Sequence, residues 1–230
     1  MSFPELFIVM GIIKNLFYKF QDQREVLDLT SFGDELAFKT SWNPLAPGGT
    51  NFCTHELQKS TSPLSGDLLI FKTTALAILF SASFILMGLA VFIPGISSGE
   101  DAERIIGLVF VGGGCWISWG MKRQESVFDR SSRRLAKGDK TYDLEQVCAI
   151  QLIREYVSAK ETRYYSYELN LVCIDGERVN IIDHGSLRAI RKDAETLADY
   201  LSIPVWDAID FKIPKQAAHR DVKSEISELP

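Results

Sequence analysis

Cysteine is scarce in this chain and never clustered. Cys53, Cys115, Cys148 and Cys173 stand far apart with no CxxC and no repeated spacing, which excludes a disulfide framework and a zinc knuckle and fits a reducing surrounding for the polar parts. Histidine is scarcer still, at three residues. Basic residues are not in excess: the formal net charge is −5, which argues against a whole-chain electrostatic grip on nucleic acid. With 46% hydrophobic and 24% charged residues in 230, neither a collagen-like repeat nor a disordered polymer fits, so apolar surface has to be withdrawn from water somewhere.

That apolar content is unevenly placed. Thr73–Ile93 runs for about 21 residues without a charge, and Ile105–Met121 for about 17; at roughly 1.5 Å per residue these lengths approach the hydrocarbon thickness of a bilayer. Pro94-Gly95 is expected to end the first, and residues 94–104 to form a polar external loop. The expected unit is a transmembrane helical hairpin, 73–93 and 105–121. Ser81 and Gly88 in the first block, with Gly107, Gly114 and Ser118 in the second, recur at four- or seven-residue spacing. Small residues there would let two backbones approach closely in lipid, although glycine is common in spans generally. Trp116 and Trp119 fit headgroup anchors.

The loop carries Glu100, Asp101 and Glu103 against Arg104. Lys122, Arg123, Arg130, Arg133, Arg134 and Lys137 follow the second block. Positive charge stays inside, so both termini are expected in the cytoplasm of an integral membrane protein, in a prokaryotic inner membrane. The same six basic residues are candidates for contact with anionic lipid, at about 1 kcal/mol per suitably placed side chain; the alternative is that they only fix topology.

Residues 1–20 carry Glu5 where a signal peptide has basic charge, and no small-x-small cleavage site follows. Leu6, Val9, Ile13, Leu16 and Phe20 recur at helical spacing, giving a candidate interfacial helix or one packed on the rest of the chain. Strands are expected at Leu36–Trp42, Asn51–Gln58 and Asp67–Phe71. Residues 34–72 are too few for an independent core and are expected to join the strands that follow the hairpin.

From 122 to 206 the pattern alternates. Glu125–Arg130 and Arg133–Lys137 flank a turn, and Val147–Val157 is a longer strand. In Arg163–Ile174, Tyr165, Tyr167, Leu169, Leu171 and Cys173 share one face while Ser166, Glu168 and Asn170 share the other. Asp175-Gly176 turns the chain into Arg178–Asp183. Ser186 is positioned to cap an amphipathic helix along Leu187, Ile190, Ala194, Leu197, Ala198 and Leu201, and residues 211–230 are expected to form a mobile tail. Together these elements predict an α+β membrane protein with an antiparallel β-rich cytoplasmic domain closed by a C-terminal helix. Strands closed by one helix resemble a pleckstrin-homology-like (PH-like) domain, over Glu125–Trp206. The ordered segments Phe128-Asp129-Arg130, Val147–Arg154 and Ala194–Val205, placed after a membrane hairpin, resemble the photosystem I assembly protein family. That resemblance implies membrane anchorage with a non-catalytic, partner-binding domain.

No catalytic set emerges. Cys53 and His55 share a strand face, with Asp183 or His184 as a third candidate ligand, but two ligands do not make a metal site, and a Cys-His nucleophile needs a spatial meeting the sequence does not show. Gly112-Gly113-Gly114 lacks the Lys-Ser/Thr of a phosphate loop. The expectation is therefore no catalytic, cofactor or metal residues, membrane lipid and a protein as partners, and a scaffold or assembly role. An anionic-lipid sensor is the alternative reading, and a membrane enzyme comes third.

Overall fold

The computed structural model of the chain describes residues 24–62, 66–158, 163–214 and 217. The expected helix at 1–20 and most of the expected tail at 211–230 lie outside them.

After a short N-terminal segment with a 3-10 turn at Leu29–Phe32 and one α-helical turn, α1 (Leu36–Lys39), come β1 (His55–Ser62) and β2 (Gly66–Thr73), then two long helices, α2 (Ala75–Ser98) and α3 (Asp101–Arg123). The chain continues through β3 (Ser126–Asp129), β4 (Arg134–Lys137), β5 (Lys140–Asp143), β6 (Val147–Ser158), β7 (Arg163–Cys173) and β8 (Arg178–His184), and ends in α4 (Leu187–Leu201) and β9 (Val205–Asp207). The fold is α+β. One sheet is an antiparallel meander, β1-β2-β3-β4-β5, and the other has the order β8-β7-β6-β9, in which β9 runs parallel to β6. Strands β2 and β3, separated in sequence by the two long helices, pair antiparallel from Leu68↔Asp129 to Phe71↔Ser126.

The long helices are long and apolar enough to cross a membrane, and their burial is inverted relative to a water-soluble helix pair. On them only Ala77, Ser81, Gly88, Gly95, Gly107 and Gly114 are buried. Leu79, Leu86, Val109 and Trp116 are 67%, 66%, 66% and 72% exposed. A soluble core helix hides its large side chains, whereas here the small ones are hidden.

The small residues form the contact between the two helices. A methyl added at Gly88 would lie 2.7 Å from the Gly107 carbonyl oxygen, and one at Gly114 would lie 2.9 Å from the Ser81 carbonyl. Ser118 donates to Ser81 at 2.9 Å between hydroxyl oxygens. Gly112, Gly113 and Gly120 face outward, with nothing within 4 Å of an added methyl, so of the triple glycine only Gly114 serves the contact.

The first long helix does not stop at Pro94-Gly95. Pro94 removes a single backbone donor, and the helix continues to Ser98, where Gly99 closes it at φ 80°. Gly95 has no side chain to obstruct the second helix, and Arg104 Nε donates to its carbonyl at 3.0 Å. The expected eleven-residue loop is thereby reduced to Gly99 and Glu100 between the helices.

A main core lies between the sheets and α4, with Phe71, Phe128, Leu135, Ile150, Leu169 and Ile190 at its centre. Ser186 caps α4 by accepting from the Ala189 N–H, and Ser202 ends it in a left-handed conformation at φ 60°. A second cluster, in which Phe32, Trp42 and Trp206 stack 5.5–6.2 Å apart, covers the other face of the β6–β9 sheet.

Two expectations are corrected. Leu36–Trp42 is not a strand: α1 occupies its first half, Asp34 accepts from the Leu36 N–H, and Trp42 turns inward to donate to the Ala37 carbonyl at 2.9 Å. The polar face of β7 lies under another segment. Ser166, Glu168 and Asn170 are fully buried where residues 41–54 cross this strand; Ser166 and Glu168 bond the backbone of the crossing segment, and Asn170 bonds Glu168, Gln151 and Asn180. The strand expected from Asn51 begins only at His55 for the same reason.

Candidate functional site

The sheets meet the long helices at a rigid joint. Thr74 caps α2 through its hydroxyl, which accepts from the Ala77 N–H and donates to the Cys53 carbonyl at 2.9 Å. His55 Nε2 donates to the Met121 carbonyl at 2.9 Å, a second bond to an acceptor in the last turn of α3 that also receives the Gln124 N–H at 3.0 Å. Burial lowers the His55 pKa, which keeps the ring neutral in this role. Glu125, just beyond α3, accepts from both the backbone N–H and the hydroxyl of Thr73. Since α2 leaves directly from β2 and α3 enters β3 directly, paired strands set the position of both helix ends.

The six basic residues proposed for lipid contact do not form one patch. Lys122 and Arg123 sit in the last turn of α3, where the Arg123 guanidinium lies 4.7 Å from the Trp119 ring centre and pairs with Asp139. Arg130, Arg133 and Arg134 are at the other end of the β3–β4 hairpin. Ser126↔Lys137 is the helix-proximal pair and Asp129↔Arg134 the distal one, a separation of about 10 Å at roughly 3.3 Å per residue. Arg130 lies over Tyr200, 5.8 Å from its ring centre, and Arg133 pairs with Glu145. Lys137 shares the inward-facing row of Phe71 and Ser126. Its ammonium reaches β8, donating to the carbonyls of Asn180 at 2.6 Å and Ile181 at 2.7 Å.

Two open clefts flank this hairpin. The distal one is lined by Arg133 and Arg134 but equally by Asp143 and Glu145. The helix-proximal one, about 510 Å³, lies between the β4–β5 turn and the β8 edge and is lined by Arg123, Lys137, Lys140 and Arg178 against Asp139 alone. It sits beside the end of α3, since a methyl on Gly138 would be 3.4 Å from the Arg123 carbonyl. Sequence reasoning missed two of its members. Lys140 had a signal, because it flanks the Lys137-Gly138-Asp139 turn; Arg178 had none, because only the fold carries β8 to β4.

Comparison with family models, curated proteins and solved structures finds no significant match. The resemblance to the photosystem I assembly family gains no support from it.

The buried titratable groups are arranged for structure. Cys53 Sγ and His184 Nε2 are 3.7 Å apart, but His184 Nδ1 accepts from the Ser186 N–H at 3.2 Å, leaving the proton on Nε2, the atom that faces the thiol. Burial pushes the His184 pKa down to about 4 and the Cys53 thiol up to about 11, the reverse of an activated pair. His55 faces the helix end, not Cys53. Among the described residues no three His, Cys, Asp or Glu side chains converge as metal ligands.

The crossing segment is held by carboxylates. Glu168 accepts from the backbone N–H groups of Leu45 and Ala46 at 2.8–3.1 Å, and Glu155 accepts from Gly48 at 2.8 Å. Asp183 accepts from the Ser166 hydroxyl and faces Gly49 so closely that an added methyl would lie 2.0 Å from Oδ1. Burial pushes the Asp183 carboxyl up to about 7 despite those bonds. Chemically, then, the carboxylates order backbone, and the separate helix-proximal basic cleft can attract anions.

Proposed function

We propose that this chain is a non-catalytic membrane protein in which α2 and α3 cross the bilayer and hold a PH-like β domain on the cytoplasmic face as a scaffold or assembly factor for another protein. The observation that carries the reading is the inverted burial of the long helices, small residues between them and large apolar ones outward, which suits lipid and not water. The acidic Gly99–Glu103 tip and the basic Lys122–Arg123 end support an orientation with the domain inside. Antiparallel strands followed by the single closing helix α4 support the PH-like description.

The surface we assign to a partner is the outer face of the β1–β5 sheet. Residues 24–54 cover much of the other sheet's outer face, while the row Gln58–Ile70–Val127–Ala136–Thr141 crosses all five strands in register and stays at least partly exposed. Apolar residues flanked by polar ones on a rigid sheet match the composition of a protein contact. A photo-crosslinking residue in place of Ala136 in native membranes should give a discrete adduct, which Val127→Lys should abolish. Absence of any reproducible adduct, or one indifferent to Val127→Lys, would count against the scaffold reading.

A further inference from the structure

We propose that the cleft between the β4–β5 turn and β8 binds the phosphate headgroup of an anionic lipid from the adjoining leaflet. The inference rests on membrane anchorage for its lipid source and on charge for its chemistry. Lys137 and Lys140 stand directly opposite each other across the two-residue turn, a like-charge cross-strand pair that destabilises a sheet unless an anion offsets it. Arg178 is half-buried beside them, donating to the Asn43 carbonyl and to Gln151 Oε1.

Glu168 is the buried carboxylate whose field reaches both Lys137 and Arg178, and the exposed Glu177 acts on Arg178 as well. The Glu168 oxygens are already bonded by Leu45, Ala46 and Asn170, so the one buried carboxylate near these two half-buried cations is engaged by other donors. Asp139 is paired with Arg123, and Lys140 remains exposed at the mouth. The distal cleft, with its arginines matched by carboxylates, shows that this hairpin balances charge elsewhere. The larger excess lies in the cleft beside the last turn of α3, where Trp119 and Arg123 stack, the end that membrane anchorage sets at the headgroups. A phosphate there would accept from lysine and guanidinium donors while its glycerol remained at the interface.

The test titrates a short-chain phosphatidylglycerol into the full-length protein in neutral detergent, reading the change in Trp119 fluorescence with Trp116 replaced by Phe, above the constant signal of the buried Trp42 and Trp206, and counts lipids retained by native mass spectrometry. Lys137→Gln with Lys140→Gln should weaken binding about thirtyfold, from roughly 1 kcal/mol per basic side chain, and remove one retained lipid. Arg133→Gln with Arg134→Gln, an equal charge loss at the distal end, should leave both unchanged. Should the first pair melt early, Lys140→Gln alone, at an exposed position, should weaken binding about fivefold. Binding indifferent to the lysines, or weakened equally by both pairs, overturns the proposal. Glycerol 1-phosphate or inorganic phosphate competing as tightly as the lipid overturns the lipid source and assigns the cleft to a soluble phosphate. Because binding is read on folded protein in detergent, its failure is distinct from failure of anchorage, which cell fractionation reports.

Discussion

Replacing a single glycine in the helix pair should separate two kinds of glycine that the sequence presents alike. Gly88→Ala puts a methyl 2.7 Å from both the Gly107 carbonyl oxygen and the Val111 nitrogen. Ordinary contact begins near 3.4 Å and both neighbours are backbone, so the helices must part by about 0.7 Å or more. Overpacking of this kind costs about 1–3 kcal/mol. Gly113→Ala meets nothing within 4 Å and should be neutral or stabilising, by up to about 1 kcal/mol of helix propensity. Gly88→Ala combined with Gly107→Ala should cost less than the two separately, because each methyl meets the other residue's carbonyl and helices already parted admit the second one.

The assay is unfolding of the full-length protein in mixed micelles with increasing dodecyl sulfate, followed by Trp116 and Trp119 fluorescence with Trp42 and Trp206 replaced by Phe in every variant compared. A Ser81→Cys, Ser118→Cys pair in a Cys115→Ser background reports separation independently through its rate of disulfide formation. If Gly113→Ala destabilises as much as Gly88→Ala, or the disulfide forms equally fast in both, the contact between the helices is not the one described.

Two further outcomes concern the domain. Asp183 keeps its proton up to about pH 7 in the folded state but loses it near 3.8 when unfolded, so its contribution to stability falls as pH rises from about 4 to 7. Asp183→Asn removes that penalty, and after discounting for partial solvent access the variant should exceed wild type by about 1–2 kcal/mol at pH 8 and by almost nothing at pH 4. Thermal unfolding followed through Trp42 and Trp206 measures this, and a gain independent of pH would remove burial of the charge as its cause. His55→Ala removes one of the two donors to the Met121 carbonyl and should cost about 0.5–1.5 kcal/mol and increase hydrogen exchange at the end of α3; exchange unchanged there would mean that the joint does not depend on that bond.

The two long helices were legible because length and uniform apolarity need no tertiary information, and the spacing of Ser81, Gly88, Gly107 and Gly114 already marked the side on which they meet. The strands from β3 to β8 and the cap of α4 were legible from alternation and turn residues. What alternation could not convey was the covering of Ser166, Glu168 and Asn170, because a polar face looks the same in sequence whether water or another backbone satisfies it. Leu36–Trp42 misled for the converse reason: a short apolar run does not distinguish a strand from a helical turn whose side chains enter a core. The basic residues were visible individually, but their division between helix end, interior and distal turn follows from the strand register, which carries Lys137 inward and leaves Arg133 and Arg134 an entire hairpin away.

Labelling of Ser98→Cys from outside intact cells, in a Cys115→Ser background, tests the membrane crossing most directly. Ser98 is exposed at the tip of the helix pair, whereas Cys53, Cys148 and Cys173 belong to the β domain. A membrane-impermeant maleimide should modify the new cysteine in intact cells and the three native ones only after permeabilisation. Modification of Ser98→Cys solely after permeabilisation, or recovery of the full-length protein in the soluble fraction, would contradict it.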